Sequence, residues 1–264
     1  MTTDGTGMAC KALAVVGWLL CTAAATAADR VPVPGGEFTP VIAPGPNAKT
    51  VTIASFDLDR RPVTNAEFLS FVRASPQWRR DRIPALLADQ SYLAHWSGPQ
   101  TLGPSAEPEQ PVTHVSWFAA RAYCAAQNAR LPTWYEWEYT AAADGTHRDA
   151  RQDPAWRERI LGWYAVSAAR KVPPVGQGAP NVYGIQDLHG VVWEWVEDFG
   201  GLMVSGDSRT QGDPDKLQFC GAGALSTDNR EDYPILMRVA FLSSLEARFT
   251  TSSLGFRCAA GNTP

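Results

Sequence analysis

The sequence predicts an α+β fold with low regular secondary structure. Three observations lead there. Helix-start signals are few, strand-like alternation comes only in short runs, and 22 glycines and 20 prolines cut the chain into loops. Ten tryptophans supply large aromatic anchors that can hold loops against a core. The 264 residues are 45% hydrophobic and 19% charged, with a formal net charge of −4. Such a chain lacks the basic excess of a nucleic-acid binder. It is also not charged enough to stay unfolded by self-repulsion. No internal repeat or linker divides it, so residues 28–264 read as one domain.

Residues 1–27 read as an export signal. Lys11 gives a positive start, Ala12 to Leu20 is a short apolar run, and Ala25-Thr26-Ala27 is a small-x-small cleavage site before Ala28. The alternative is a membrane anchor, but a spanning helix needs about 20 apolar residues and Cys21-Thr22 ends this run early. No stable membrane anchor is therefore expected, and the location is periplasmic or secreted. Leu20 stands where a lipoprotein would carry a small residue, and no twin-Arg pair precedes the run. Cys10 and Cys21 leave with the signal. Cys124, Cys220 and Cys258 remain, in a compartment where disulfides persist. Three cysteines allow one bridge and leave one over.

In the mature chain, Val51 to Phe56 alternates like a strand. Thr64-Asn65-Ala66-Glu67 is a capping box opening a helix through Phe68, Phe71 and Val72. Ser116 precedes an Ala-rich helix through Cys124. Thr133-Trp134-Tyr135-Glu136 is a second capping box, opening a helix through Tyr139 and Ala143. Trp134 and Trp137 share one face of it, and Tyr135 and Tyr139 are placed to pair at i, i+4. Plain core packing accounts for these aromatics. Val191 to Val196 alternates like a strand with bulk on both faces. Segments 144–158 and 203–217 are polar and read as surface insertions.

Several phrases, taken in order, resemble the formylglycine-generating enzymes (sulfatase-modifying factors). They begin with Pro34-Gly35-Gly36-Glu37-Phe38 and Pro62-Val63-Thr64-Asn65-Ala66-Glu67-Phe68. Pro111 to Trp117 and Ala122-Tyr123-Cys124 follow, then Arg130-Leu131-Pro132-Thr133-Trp134-Tyr135-Glu136-Trp137-Glu138. The last are Pro180 to Gly190, Val191-Val192-Trp193-Glu194-Trp195, and Leu254-Gly255-Phe256-Arg257-Cys258. The resemblance covers nearly all of the mature chain. It implies an elaborated C-type-lectin-like fold and oxidation of a client cysteine to formylglycine by oxygen and copper. Two thiolates hold Cu(I) in such enzymes, a soft ion that prefers sulfur. Counted back from Cys258, their positions fall on Pro234 and Val239, while Tyr233 and Arg238 match the family pattern. Neither proline nor valine can form a thiolate, so copper is not expected and formylglycine oxidation by that mechanism is rejected. Met237 reads as core filler.

A related branch holds non-haem iron beside a histidine-rich domain. Here His95, His114, His147 and His189 are scattered, and that extra domain is absent. His114 reads as structural and His147 as solvated. The resemblance also implies calcium, held by Asp187 and Glu194 with the carbonyls of Gly190 and Val192. Calcium accepts carboxylates and backbone carbonyls, and an ionised Glu between Trp193 and Trp195 needs a partner. The alternative is a loop acid and a buried, hydrogen-bonded Glu. The family's other calcium site needs an Asn and an Asp that Ala165 to Gly178 does not contain. By the same resemblance Cys124 and Cys258 form a disulfide, worth roughly 4–5 kcal/mol, and Cys220 is left over.

Two functional expectations follow. The first is an exported accessory protein that assists maturation of an exported client protein or peptide. The stretch Phe219 to Ala224 and the cysteine-free Tyr233 region resemble a bacterial subset, some of it encoded beside copper nitrite reductase, which becomes a possible client. The second is an oxidoreductase with altered chemistry acting on an exported peptide or siderophore precursor. Its candidate pocket is Trp193, Tyr233 and Arg238, with Glu231 or Asp232 as acid or base.

Overall fold

The computed structural model describes residues 29–43, 47–164, 171–200 and 233–261. The expected signal, Cys220, the 203–217 segment, Glu231, Asp232 and the Tyr233 side chain lie outside the described residues. In chain order the elements are β1 (Arg30–Val33), β2 (Gly36–Phe38), β3 (Val51–Ile53), β4 (Phe56–Asp59), α1 (Asn65–Ala74), α2 (Trp117–Ala126), α3 (Trp134–Ala141), α4 (Pro154–Tyr164), β5 (Trp193–Glu194), α5 (Tyr233–Ser243), β6 (Leu254–Gly255) and β7 (Ala259–Ala260). A 3-10 turn over Pro76–Trp78 follows α1. Long irregular stretches join these elements.

The strands form three small sheets. β1, β4 and β7 pair antiparallel, with Arg30 opposite Asp59 and Leu58 opposite Ala259. β2 and β3 pair antiparallel, and β5 runs parallel to β6. The strand expected over Val51 to Phe56 is therefore two strands, β3 and β4, each paired to a different neighbour. Gly35 sits under the break, where an added Cβ would lie 2.2 Å from the Ile53 carbonyl oxygen. Only a residue without a side chain allows that approach. The strand expected over Val191 to Val196 is shorter too. Its ladder with β6 stops after Trp195 N–H donates to the Gly255 carbonyl at 3.0 Å, and Glu197 N–H turns to the Pro132 carbonyl at 2.9 Å.

Both capping boxes form. Thr64 N–H donates to Glu67 at 2.8 Å while Glu67 N–H donates to the Thr64 hydroxyl at 3.2 Å. Thr133 and Glu136 repeat the exchange at 2.8 and 3.3 Å. Ser116 caps α2 through the Ala119 amide. The expected Tyr135–Tyr139 pair is not what holds those rings. Tyr135 donates to the Ile42 carbonyl, whereas Tyr139 donates to the Pro34 carbonyl and packs edge-on against Phe38. Tertiary partners take both hydroxyls.

Two helices were not foreseen. Part of the 144–158 stretch, expected as surface insertion, starts α4. Asp153 accepts the Ala155 amide at 2.9 Å, Pro154 opens the helix, and Trp156 and Ile160 are buried with Ala150. In α5, Ile235, Val239 and Leu242 are buried at i, i+4, i+7, the stripe of a core-facing helix. The main core joins Phe68, Tyr123 and Phe256 with Trp134, Trp137 and Trp195. Cys124 on α2 is joined to Cys258 beside β7 across 134 residues, with Cα atoms 5.5 Å apart. Among the described residues no helix is long and apolar enough to cross a membrane.

Candidate functional site

The phrases that carry the resemblance converge on Glu194. β5 places its carboxylate in the core, fully buried. Arg257, also fully buried, follows β6 and meets it side-on. Its Nη2 donates to Glu194 Oε1 at 2.8 Å and its Nε to Oε2 at 2.9 Å. Trp137 Nε1 on α3 donates to Oε2 at 2.8 Å. The guanidinium then fills its remaining directions with the carbonyls of Asp59, Arg60 and Gln186 at 3.2, 3.3 and 2.9 Å. This is a two-pronged, charge-assisted arrangement closed off from water. It ties β4, α3, β5 and the chain before β7 to one point.

A second arginine lies above it. Arg238 of α5 is fully buried, donates to the Glu194 carbonyl at 2.6 Å, and sits 3.7 Å from the centre of the Trp137 ring. Trp134 lies on its other flank at 5.3 Å. A guanidinium held this way serves as packing and cation–π anchor. The Tyr233 side chain of the expected pocket with Trp193 and Arg238 lies outside the described residues. Trp193 stacks on Phe241 of α5 with ring centres 5.1 Å apart and meets Trp163 of α4 at 5.3 Å.

Of the four expected calcium ligands, the two carboxylates have their oxygens engaged by donors of the protein. Both Glu194 oxygens are taken by Arg257 and Trp137. Asp187 accepts the Gly176 and Gly178 amides on its two oxygens, in a left-handed backbone conformation at φ 59°. Gly190 and Val192 follow in the same loop. In this structure Arg257 supplies a positive partner for the buried Glu194.

At the two thiolate positions of the resemblance, α5 carries Pro234 and Val239. Both are buried, Val239 to 6% relative exposure within the core. Pro234 is tolerated because it stands in the first turn, where a helix needs no amide donor. These side chains offer carbon only.

The largest described cavity, about 620 Å³, opens between α4, the end of α3 and the 178–190 loop. Asp144, Arg159, Trp163, Asp187 and His189 line it. The loop is shaped by Asn181, which accepts the Tyr183 and Ile185 amides at 3.0 and 3.1 Å and donates to the Thr140 carbonyl at 2.9 Å. His189 Nε2 lies 3.0 Å from the Ala141 carbonyl, which fixes the proton there. Its Nδ1 has no hydrogen-bond partner. The ring meets Trp137 and Trp156 edge-on, and burial pushes its pKa down to about 4. His189 is thus a neutral acceptor suited to an N–H or O–H group of a ligand. The sequence did not single it out, and its only local signal was a histidine in the loop after Asp187. His147 is exposed beside Asp144, as expected.

Comparison with known proteins gives the family of this chain. The family described as "Sulfatase-modifying factor enzyme 1-like domain" matches residues 19–261. The formylglycine-generating enzyme of Bos taurus is 29% identical, covering 89% of this chain and 75% of its own length. The inactive C-alpha-formylglycine-generating enzyme 2 of Bos taurus is 28% identical, covering 88% of each chain. Among solved structures, PvdO from Pseudomonas aeruginosa is similar at 20% identity and a TM-score of 0.47, covering 88% of this chain and 93% of that one.

Proposed function

Since this chain belongs to the family of sulfatase-modifying factor enzyme 1-like domains, we propose that it is an exported accessory protein that binds an exported client and lacks copper-thiolate oxidation. One observation carries the reading: Pro234 and Val239 occupy the two thiolate positions inside a buried face of α5. Without two sulfurs there is no soft-ion site of that kind. The Glu194–Arg257 centre that supports the fold is complete, and the 620 Å³ cavity beside it offers a binding surface. The bovine relatives, one called a generating enzyme and one called inactive, match this chain almost equally, so overall identity does not separate the two outcomes.

A second reading, an oxidoreductase with altered chemistry acting on an exported peptide or siderophore precursor, is favoured by the same cavity, where His189 and Asp187 face a ligand-sized space. One experiment separates them. The purified protein is incubated under oxygen, with and without copper, with a cysteine-bearing sulfatase peptide and with candidate exported clients, a copper nitrite reductase among them. The expected result is client association with no aldehyde product by mass spectrometry and no oxygen uptake. Turnover with oxygen uptake would establish the second reading, and formylglycine on the peptide would overturn the first outright.

A further inference from the structure

The loops before α2 bring together two histidines that have no role in the centre described above. The rings of His95 and His114 lie 4.9 Å apart, tilted by 31°. His95 Nδ1, His95 Nε2 and His114 Nδ1 are buried from water and have no hydrogen-bond partner. Three such nitrogens in one place are unusual, because buried polar groups are nearly always satisfied and an orphan costs about 1–3 kcal/mol.

The backbone around the pair is strained. His114 has φ 53° and Leu93 has φ 48°, two of the four described non-glycine residues at positive φ. The Leu93 amide donates to the His114 carbonyl at 2.9 Å, so the two strained turns hold each other. Such conformations persist where the surroundings demand them, and they gather at functional sites.

Both residues line a cavity of about 450 Å³, together with Ser105, Thr113, Ser252 and Lys171. No carboxylate or thiolate lines it, and Lys171 is paired to Glu107. Hard cations that need carboxylates do not suit it. Imidazole nitrogen suits zinc, copper and nickel. A metal ion held by one nitrogen of each ring would stand about 2.0–2.1 Å from both, and the ring centres are 4.9 Å apart.

We infer that His95 and His114 form a two-imidazole site for a late first-row transition-metal ion, with its remaining positions open to the 450 Å³ cavity.

The test uses the full protein without a histidine tag, titrated calorimetrically with zinc(II), copper(II) and, as a non-binding control, calcium. One equivalent of zinc and of copper should bind, copper more tightly. His95→Gln and His114→Asn should each weaken binding at least tenfold, while His147→Gln on the exposed surface leaves it unchanged. Asn is chosen at position 114 because it tolerates positive φ. Circular dichroism and melting curves report whether the variants fold. If either does not, electron paramagnetic resonance of the copper(II)-loaded unaltered protein decides: coupling to two imidazole nitrogens supports the site. Absence of stoichiometric zinc and copper binding would overturn it. So would binding that survives His95→Gln, or a copper signal without imidazole coupling.

Discussion

Glu194 and His95 are both polar groups drawn out of water, and the fold treats them in opposite ways. Glu194 has every oxygen engaged, by a guanidinium and an indole from distant parts of the chain. His95 has neither ring nitrogen engaged. In the first region the polar groups answer one another, so the arrangement is structural. In the second they answer to nothing in the protein, so the arrangement is open to a ligand. Burial of a charge therefore identifies a site only once its partners have been counted.

Removing Arg257 breaks the first region most severely. Arg257→Ala leaves a fully buried carboxylate with only Trp137 as donor and should cost about 3–5 kcal/mol in urea unfolding. The double variant Glu194→Gln with Arg257→Met keeps an acceptor for Trp137 and removes both charges, so it should recover more than half of the loss. A single-variant loss below about 1 kcal/mol would mean that another cation neutralises Glu194.

Asp59 stands between the two cases. It accepts from Arg30 at 2.9 Å and from the Cys258 amide at 2.8 Å, yet burial outweighs both and raises its pKa to about 6. The folded state then holds its proton more tightly than the unfolded state, where the carboxyl titrates near 4. Stability contributed here is greatest below pH 4 and is lost as pH rises through 6. The expected loss between pH 4 and 6 is about 2 kcal/mol. Asp59→Asn should remove that part of the slope, and an unchanged slope would show that other groups produce it.

How much of this was legible follows from distance along the chain. Both capping boxes could be read because donor and acceptor lie three residues apart. The start of α4 was just as local, in Asp153-Pro154 followed by Trp156 and Ile160, but the polar setting masked it. The short strands could not be bounded, because their ends depend on where Gly35 lets one chain cross another and where Glu197 leaves β5. The need of Glu194 for a positive partner was legible, and the partner was not. Arg257 lies 63 residues away, and the motif alone could not distinguish it from a calcium ion. The pairing of His95 with His114 was not legible, since two loop turns bring them together.

The open region responds in the opposite direction. His95→Leu replaces a ring with two orphaned nitrogens by an apolar side chain, beside the Trp96 ring. In metal-free buffer it should raise stability by about 1 kcal/mol, a gain paired with loss of any ligand held there. A loss of more than about 1 kcal/mol would show that the ring is packed rather than waiting, because the penalty of a cavity would exceed the relief of the orphans.

The smallest expected effect bears on the same question at Glu194. A calcium site filled to a hundredfold excess over its dissociation constant would add about 2.7 kcal/mol, enough to move a thermal midpoint by several degrees. With Arg257 on both Glu194 oxygens and the Gly176 and Gly178 amides on Asp187, millimolar calcium or its chelation should move the midpoint by less than about 1 °C. A clear rise that Asp187→Asn abolishes would mean that the loop yields those amides to the ion. Glu194 would then share its charge between calcium and Arg257, and the loss in Arg257→Ala would shrink when calcium is present. The two measurements together therefore decide which cation holds the centre of the fold.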